Sequence, residues 1–124
     1  MKQSYCVPIR IYSEANNTDH WTKKRKRRIS NRNAINVVCR EKMQKDTNLP
    51  ATVRLTRVAP RMLDIDNLWA GMKATIDTVA DILIPGLKPG HADGDERLKF
   101  ECCQKKGNPK EYSLEIEIFD SEDL

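Results

Sequence analysis

Residues 67–86 read NLWAGMKATIDTVADILIPG, and this stretch decides the fold. Leu68, Met72, Ile76, Val79 and Leu83 recur at spacings of three and four, which is the core-facing stripe of an amphipathic helix running from about Asn67 to Ile84. Pro85-Gly86 stops it. A strand-like segment precedes it: in residues 51–59, ATVRLTRVA, Val53 and Leu55 alternate with Arg54 and Thr56. Val58 breaks that alternation, so a bulge or the strand end is expected near Arg57. Two further strands are expected at about Arg97–Gln104 and Glu111–Phe119, joined by KKGNPK read as a hairpin turn.

Working outward to the N-terminus, residues 5–12 (YCVPIRIY) alternate with Val7, Ile9 and Ile11 on one face. Pro8 lacks a ladder donor and suits an edge position. Thr18 or Asp19 can cap a long helix reaching about Lys45, whose apolar positions are sparse in its first half; that half should project and only the second half should pack. Pro50 ends the connection after this helix. The order is βαβαββ. The expectation is a single α+β domain over residues 1–124, with two helices on a mixed four-stranded sheet and a frayed tail at 119–124.

The chain has 124 residues, 39% hydrophobic and 32% charged, with a net charge of +4. That size supports a core without staples. No apolar run approaches the ~20 residues of a membrane span, and the N-terminus has no signal-peptide pattern. Cys6, Cys39, Cys102 and Cys103 lack metal-finger spacing, so reduced thiols in an intracellular protein are expected. Within a strand, Cys102 and Cys103 would face opposite ways.

Two features carry chemistry. The first is a pair of Asp-x-Asp motifs, Asp64/Asp66 before the second helix and Asp93/Asp95 before the next strand. If the helix returns the chain to the same sheet end, the two pairs meet. Crowded carboxylates repel, and they persist by protonation or by holding a cation. Oxygen ligands suit Mg²⁺, which keeps water and leaves room for phosphate. The plainer reading is that Asp64 and Asp66 cap the helix while Asp93 and Asp95 are turn residues. The second feature is residues 21–32, WTKKRKRRISNR, with Lys23, Lys24, Arg25, Lys26, Arg27, Arg28 and Arg32. Six consecutive cations strain a helix unless a polyanion offsets them, which points to nucleic acid; a solvated helix face is the alternative. Arg54, Arg57 and Arg61 would extend the patch, and Trp21 would stack on a base or cover the helix start. Lys73, two turns after Asp66, is a candidate for charge neutralisation or DNA contact. His91 could orient a water or a phosphate, and His20 has no evident partner.

Three segments together resemble the RusA family of Holliday junction resolvases, in particular its phage-borne branch: SEANNTDHWTKKRKRR (13–28), DIDNLWAGMKATIDTVAD (64–81) and DGDERLKFECCQKKG (93–107). The resemblance covers roughly residues 5–118. It implies a homodimeric, Mg²⁺-dependent endonuclease that nicks four-way DNA junctions symmetrically, in the cytoplasm of a bacterial or phage-infected cell. It implies Asp64, Asp66 and one later aspartate as metal ligands, with Asp95 the preferred match and Asp93 the second. The chain departs from the family at two places. Ala70 stands where bacterial members carry a lysine, with Lys73 one turn further on, and Gly94 separates the later aspartates. A DNA-binding accessory protein that kept the fold, and a flap or branch endonuclease without junction preference, are the competing expectations.

Overall fold

The computed structural model describes residues 3–12, 21–87 and 92–120. The elements are β1 (Gln3–Val7), α1 (Trp21–Asp46), β2 (Ala51–Ala59), α2 (Ile65–Leu83), a short 3-10 turn (Ala92–Gly94), β3 (Leu98–Lys106) and β4 (Ser113–Phe119). They form a single α+β domain: a mixed four-stranded sheet of order β1-β4-β2-β3 with both helices packed against it. No helix among the described residues is long and apolar enough to cross a membrane.

The centre of the sheet is set by burial. Val53 and Leu55 on β2 sit beside Leu114, Ile116 and Ile118 on β4, all of them fully buried. Their shared face receives Leu68, Met72, Ile76, Val79 and Leu83 of α2, the residues whose spacing marked the helix. From α1 only Ile35, Cys39 and Met43 are buried, one residue per turn in the second half. Val37, by contrast, is 86% exposed. The expected division of α1 into a projecting half and a packed half therefore holds, although most of the apolar positions that suggested it are exposed. Its cap candidates Thr18 and Asp19 lie outside the described residues.

Four local expectations are corrected. β1 ends at Val7, because Pro8 cannot donate to the ladder; the Ile9 N–H turns back to the Val7 carbonyl at 2.8 Å. Ile9 and Ile11 stay buried, so the alternation identified the face beyond the strand's end. β2 has no bulge. Its register with β3 and β4 is continuous, and Arg57 simply occupies the helix-facing position while Val58, on the opposite face, is buried beside Gly107. The segment between β3 and β4 is not a hairpin turn, because those strands flank β2 on opposite sides. β2 and β3 are parallel, joined through α2, which places β3 at the sheet edge. β3 carries Lys99, Glu101, Lys105 and Lys106, side chains that suit an edge, while the alternating β4 has the apolar face that a central strand needs. Residues 107–112 instead pass around the end of β2, where the Gly107 N–H donates to the Ala59 carbonyl at 2.9 Å. Lastly, Phe119 belongs to β4 and Asp120 is fully buried, so fraying does not begin at 119.

The sheet face away from the helices is polar. Arg54 pairs with Glu101 at 3.1 Å and Glu117 at 3.9 Å, and Lys105 approaches Glu115 at 3.9 Å. The four cysteines are free, and Cys102 faces the core while Cys103 faces outward as expected.

One close approach ties the N-terminal segment to α2. Ile11 is 3% exposed, and a Cβ at Gly71 would collide with the Tyr12 carbonyl oxygen. Glycine is needed here for proximity, since its backbone is helical. Gly71→Ala gains about 1 kcal/mol in helix propensity but forces the two backbones apart. The expected result is a net loss of about 1–2 kcal/mol in urea unfolding. A stabilised variant would show that the contact is looser than this packing implies.

Candidate nucleic-acid interface

Each aspartate is placed by a local device. Asp64 is the N-cap of α2: its Oδ1 accepts the Asn67 backbone N–H at 2.9 Å and its Oδ2 accepts the Asn67 side-chain amide at 3.0 Å. Asp66 lies in the helix's first turn, where the exposed N–H groups favour negative charge. Asp93, in the 3-10 turn, accepts from Lys73 Nζ at 2.6 Å. Lys73 also reaches Asp77 at 3.1 Å. Asp95 is held by Arg97, whose backbone N–H and Nε bind Oδ1 at 3.0 Å each while Nη2 binds Oδ2 at 2.9 Å.

The two Asp-x-Asp pairs do not meet within the chain. β2 delivers the chain to Asp64 at one end of the sheet, where Leu63 exchanges hydrogen bonds with the Gln104 side chain. Asp95 precedes β3 at the other end, beside Ala51. Six register steps separate Ala51–Leu98 from Arg57–Gln104, or ~20 Å along the strands. Among the described residues no group of three or more histidine, cysteine or acidic side chains could hold a metal ion. His91 and His20 lie outside the described residues. Mg²⁺ commonly takes one or two carboxylates and fills its remaining positions with water and phosphate. Asp64 and Asp66, two residues apart at the start of α2, are the carboxylates that would have to meet that smaller demand; Asp93 and Asp95 do not join them.

The cations have a different distribution. The first half of α1 and the middle of α2 line an open groove of about 680 Å³. Lys24, Arg25, Arg27, Arg28 and Arg32 line one wall, with Trp21 among them, and Asp77 and Asp81 line the other. Lys26 and Arg27 face a second hollow against Arg10 and Tyr12, and Lys23 is exposed. Arg61 is exposed beyond β2. Lys73 also lines the groove, but its ammonium is engaged by the two carboxylates, which raise its pKa. Lys73 in turn holds the Asp93 carboxyl below its usual range, whereas burial pushes that of Asp77 up.

Charge alone groups Arg57 with a surface patch, and nothing local singles out Arg10, Tyr12 or Tyr112. Arg57 is buried, donating from Nε to the Ile11 carbonyl at 3.0 Å and from Nη1 to the Arg61 carbonyl at 2.7 Å. Burial, with the Arg10 charge beside it, lowers its pKa. The signal available was an arginine in the inward phase of an otherwise apolar strand. Arg10, Tyr12, Arg57 and Tyr112 all lie at the sheet end that carries Asp64 and Asp66, because β1 runs in the same direction as β2. No family model matches the chain, and no curated protein does.

Asp95 and Asp64 give checks of local geometry. The Arg97 guanidinium lowers the Asp95 pKa to about 2. A depressed value means that the pair's contribution is present at neutral pH and is lost as pH falls towards that value. In a carboxyl-carbon NMR titration, Arg97→Gln should raise Asp95 part of the way to the ordinary ~3.9, because the residue-97 backbone N–H still donates to Oδ1. An unchanged midpoint would refute the pairing. Asp64→Ala should cost about 1 kcal/mol through loss of the cap, whereas Asp64→Asn should cost little, because asparagine caps as well as aspartate. Equal losses in thermal unfolding would show that the cap is not what Asp64 supplies.

Proposed function

We propose that this protein is a Mg²⁺-dependent endonuclease of the RusA type, acting as a homodimer on four-way junctions in branched DNA during recombination and repair in a bacterial or phage-infected cell. The observation that carries this reading is the gathering of arginines at the sheet end that bears Asp64 and Asp66, next to the cationic half of α1. The cations of α1 bind phosphates and orient the duplex arms without reading sequence. Asp64 and Asp66 would hold the metal, which when bound activates water and stabilises the leaving oxygen. Asp64 is locked in orientation by Asn67, so its donor atoms are set before substrate arrives. Lys73 pins the turn bearing Asp93 to α2, and from there it would neutralise charge near the bound DNA. Ile65 and Trp69, exposed and one turn apart beside these aspartates, offer apolar area for a second copy.

A second reading, a non-catalytic DNA-binding protein, is favoured by the separation of Asp93 and Asp95 from Asp64 and Asp66. A flap or branch endonuclease without junction preference is the third. Cleavage of labelled four-way junction, flap and duplex DNA, with and without Mg²⁺, separates them. The proposal expects symmetric, Mg²⁺-dependent nicks in the junction alone. Asp66→Asn should abolish nicking while junction binding persists, and so should Asp64→Asn with its cap retained. Binding without nicking in the wild type would establish the second reading, and equal cutting of flaps the third.

A further inference from the structure

Three consecutive residues of irregular backbone, Arg10–Tyr12, are clamped on all sides. The Arg10 carbonyl accepts from the Asn31 side chain at 3.2 Å, the Ile11 carbonyl accepts from buried Arg57, and the Tyr12 carbonyl lies against Gly71. This clamp presents an alternating stack of cations and rings. The Arg27 guanidinium carbon lies 4.5 Å from the Tyr12 ring centroid. That of Arg10 lies 4.6 Å from the same ring and 4.4 Å from Tyr112. The four side chains come from α1, the segment after β1, and the residue before β4.

A guanidinium packed on rings has its faces occupied and its in-plane N–H edge exposed, the geometry suited to phosphate oxygens. Arg10 is exposed, and among the described residues no carboxylate is paired with it. Arg57 adds a third positive charge beside Arg10. Like charges held this close are stabilised by a bound anion. The stack also continues, through Lys26 and Arg27, into the cationic half of α1. A line of cations matches a polymer of phosphates better than a single small anion.

We propose that the Arg27–Tyr12–Arg10–Tyr112 stack is a preorganised clamp for the DNA sugar–phosphate backbone, with Arg10 as its direct phosphate ligand. The clamp rests on the reading that nucleic acid is the partner, and it goes beyond that reading by assigning a site outside the basic run. Because the backbone is already fixed, little ordering cost is left for the binding step.

The test is fluorescence anisotropy with a labelled four-way junction over a series of salt concentrations. It compares wild type, Arg10→Gln, Arg10→Lys and Lys99→Gln. Lys99 is exposed on the polar sheet face, so its variant removes the same charge elsewhere. Arg10→Gln should weaken binding about tenfold, the scale of a lost charge-assisted hydrogen bond. It should also reduce the salt slope by about one, for one phosphate released. Arg10→Lys should recover only part of the affinity, since an ammonium lacks the planar fork. Thermal unfolding should shift only slightly, by the loss of two exposed ring contacts, and the variant should stay folded at the assay temperature. A DNA-binding wild type with Arg10→Gln indistinguishable from Lys99→Gln would overturn the clamp alone. A wild type that binds no DNA would overturn the nucleic-acid reading and the clamp with it. Displacement of DNA by inorganic phosphate at equal phosphate concentration would identify a small-anion site and overturn the assignment to backbone.

Discussion

The parallel pairing of β2 with β3 is the constraint on which the rest of the structure depends. Parallel neighbours need a crossover that returns the chain to the starting end of the sheet. Here β2 has nine residues and α2 nineteen, giving ~30 Å of strand and ~28 Å of helix. The helix therefore spans the whole sheet. Asp64 and Asp66, at its start, lie at one end of the sheet, and Asp95, reached after its C-terminal loop, lies at the other. An arrangement in which both motifs meet would require a helix half as long or a strand that doubles back.

The same geometry sorts charge. β1 runs in the same direction as β2, with β4 between them, so the segment after it emerges at the end where α2 begins. α1 packs its second half into the core, and its cationic half lies across a groove from the middle of α2. Arg27 of that half meets Arg10 at the end where β1 and β2 finish. Asp93 and Asp95 are drawn into separate pairs with Lys73 and Arg97. Both pairs are largely exposed, so they orient loops more than they stabilise the fold. Asp77 and Asp81 face the cationic wall across the groove, which limits net positive charge there.

The stripe of α2 and the alternation of β4 were legible because each element buries one face, and burial selects apolar residues at a fixed period. The period of β2 put Arg57 in the inward phase after Val53 and Leu55, but its charge argued for the solvent side, and nothing local decided between the two. Its burial is supported by backbone carbonyls of Ile11 and Arg61, partners remote in sequence or in a turn, which no periodicity reveals. Tyr12 and Tyr112 carry no local signal for the same reason: a hundred residues separate them, and only the sheet order brings both rings to Arg10.

By itself, the sequence determined the element order, the buried face of α2, an aspartate cap at its start and the density of cations on the first half of α1. Those are properties of residues within a few turns of one another, where backbone geometry dictates spacing. Tertiary structure decided that β4 inserts beside β2 rather than pairing with β3, because only a strand apolar on its inner face can occupy the centre. It also decided that the aspartate pairs part company and that arginine and tyrosine from three segments stack. Each of those outcomes depends on which strands become neighbours, and that choice is made by burying the whole core at once.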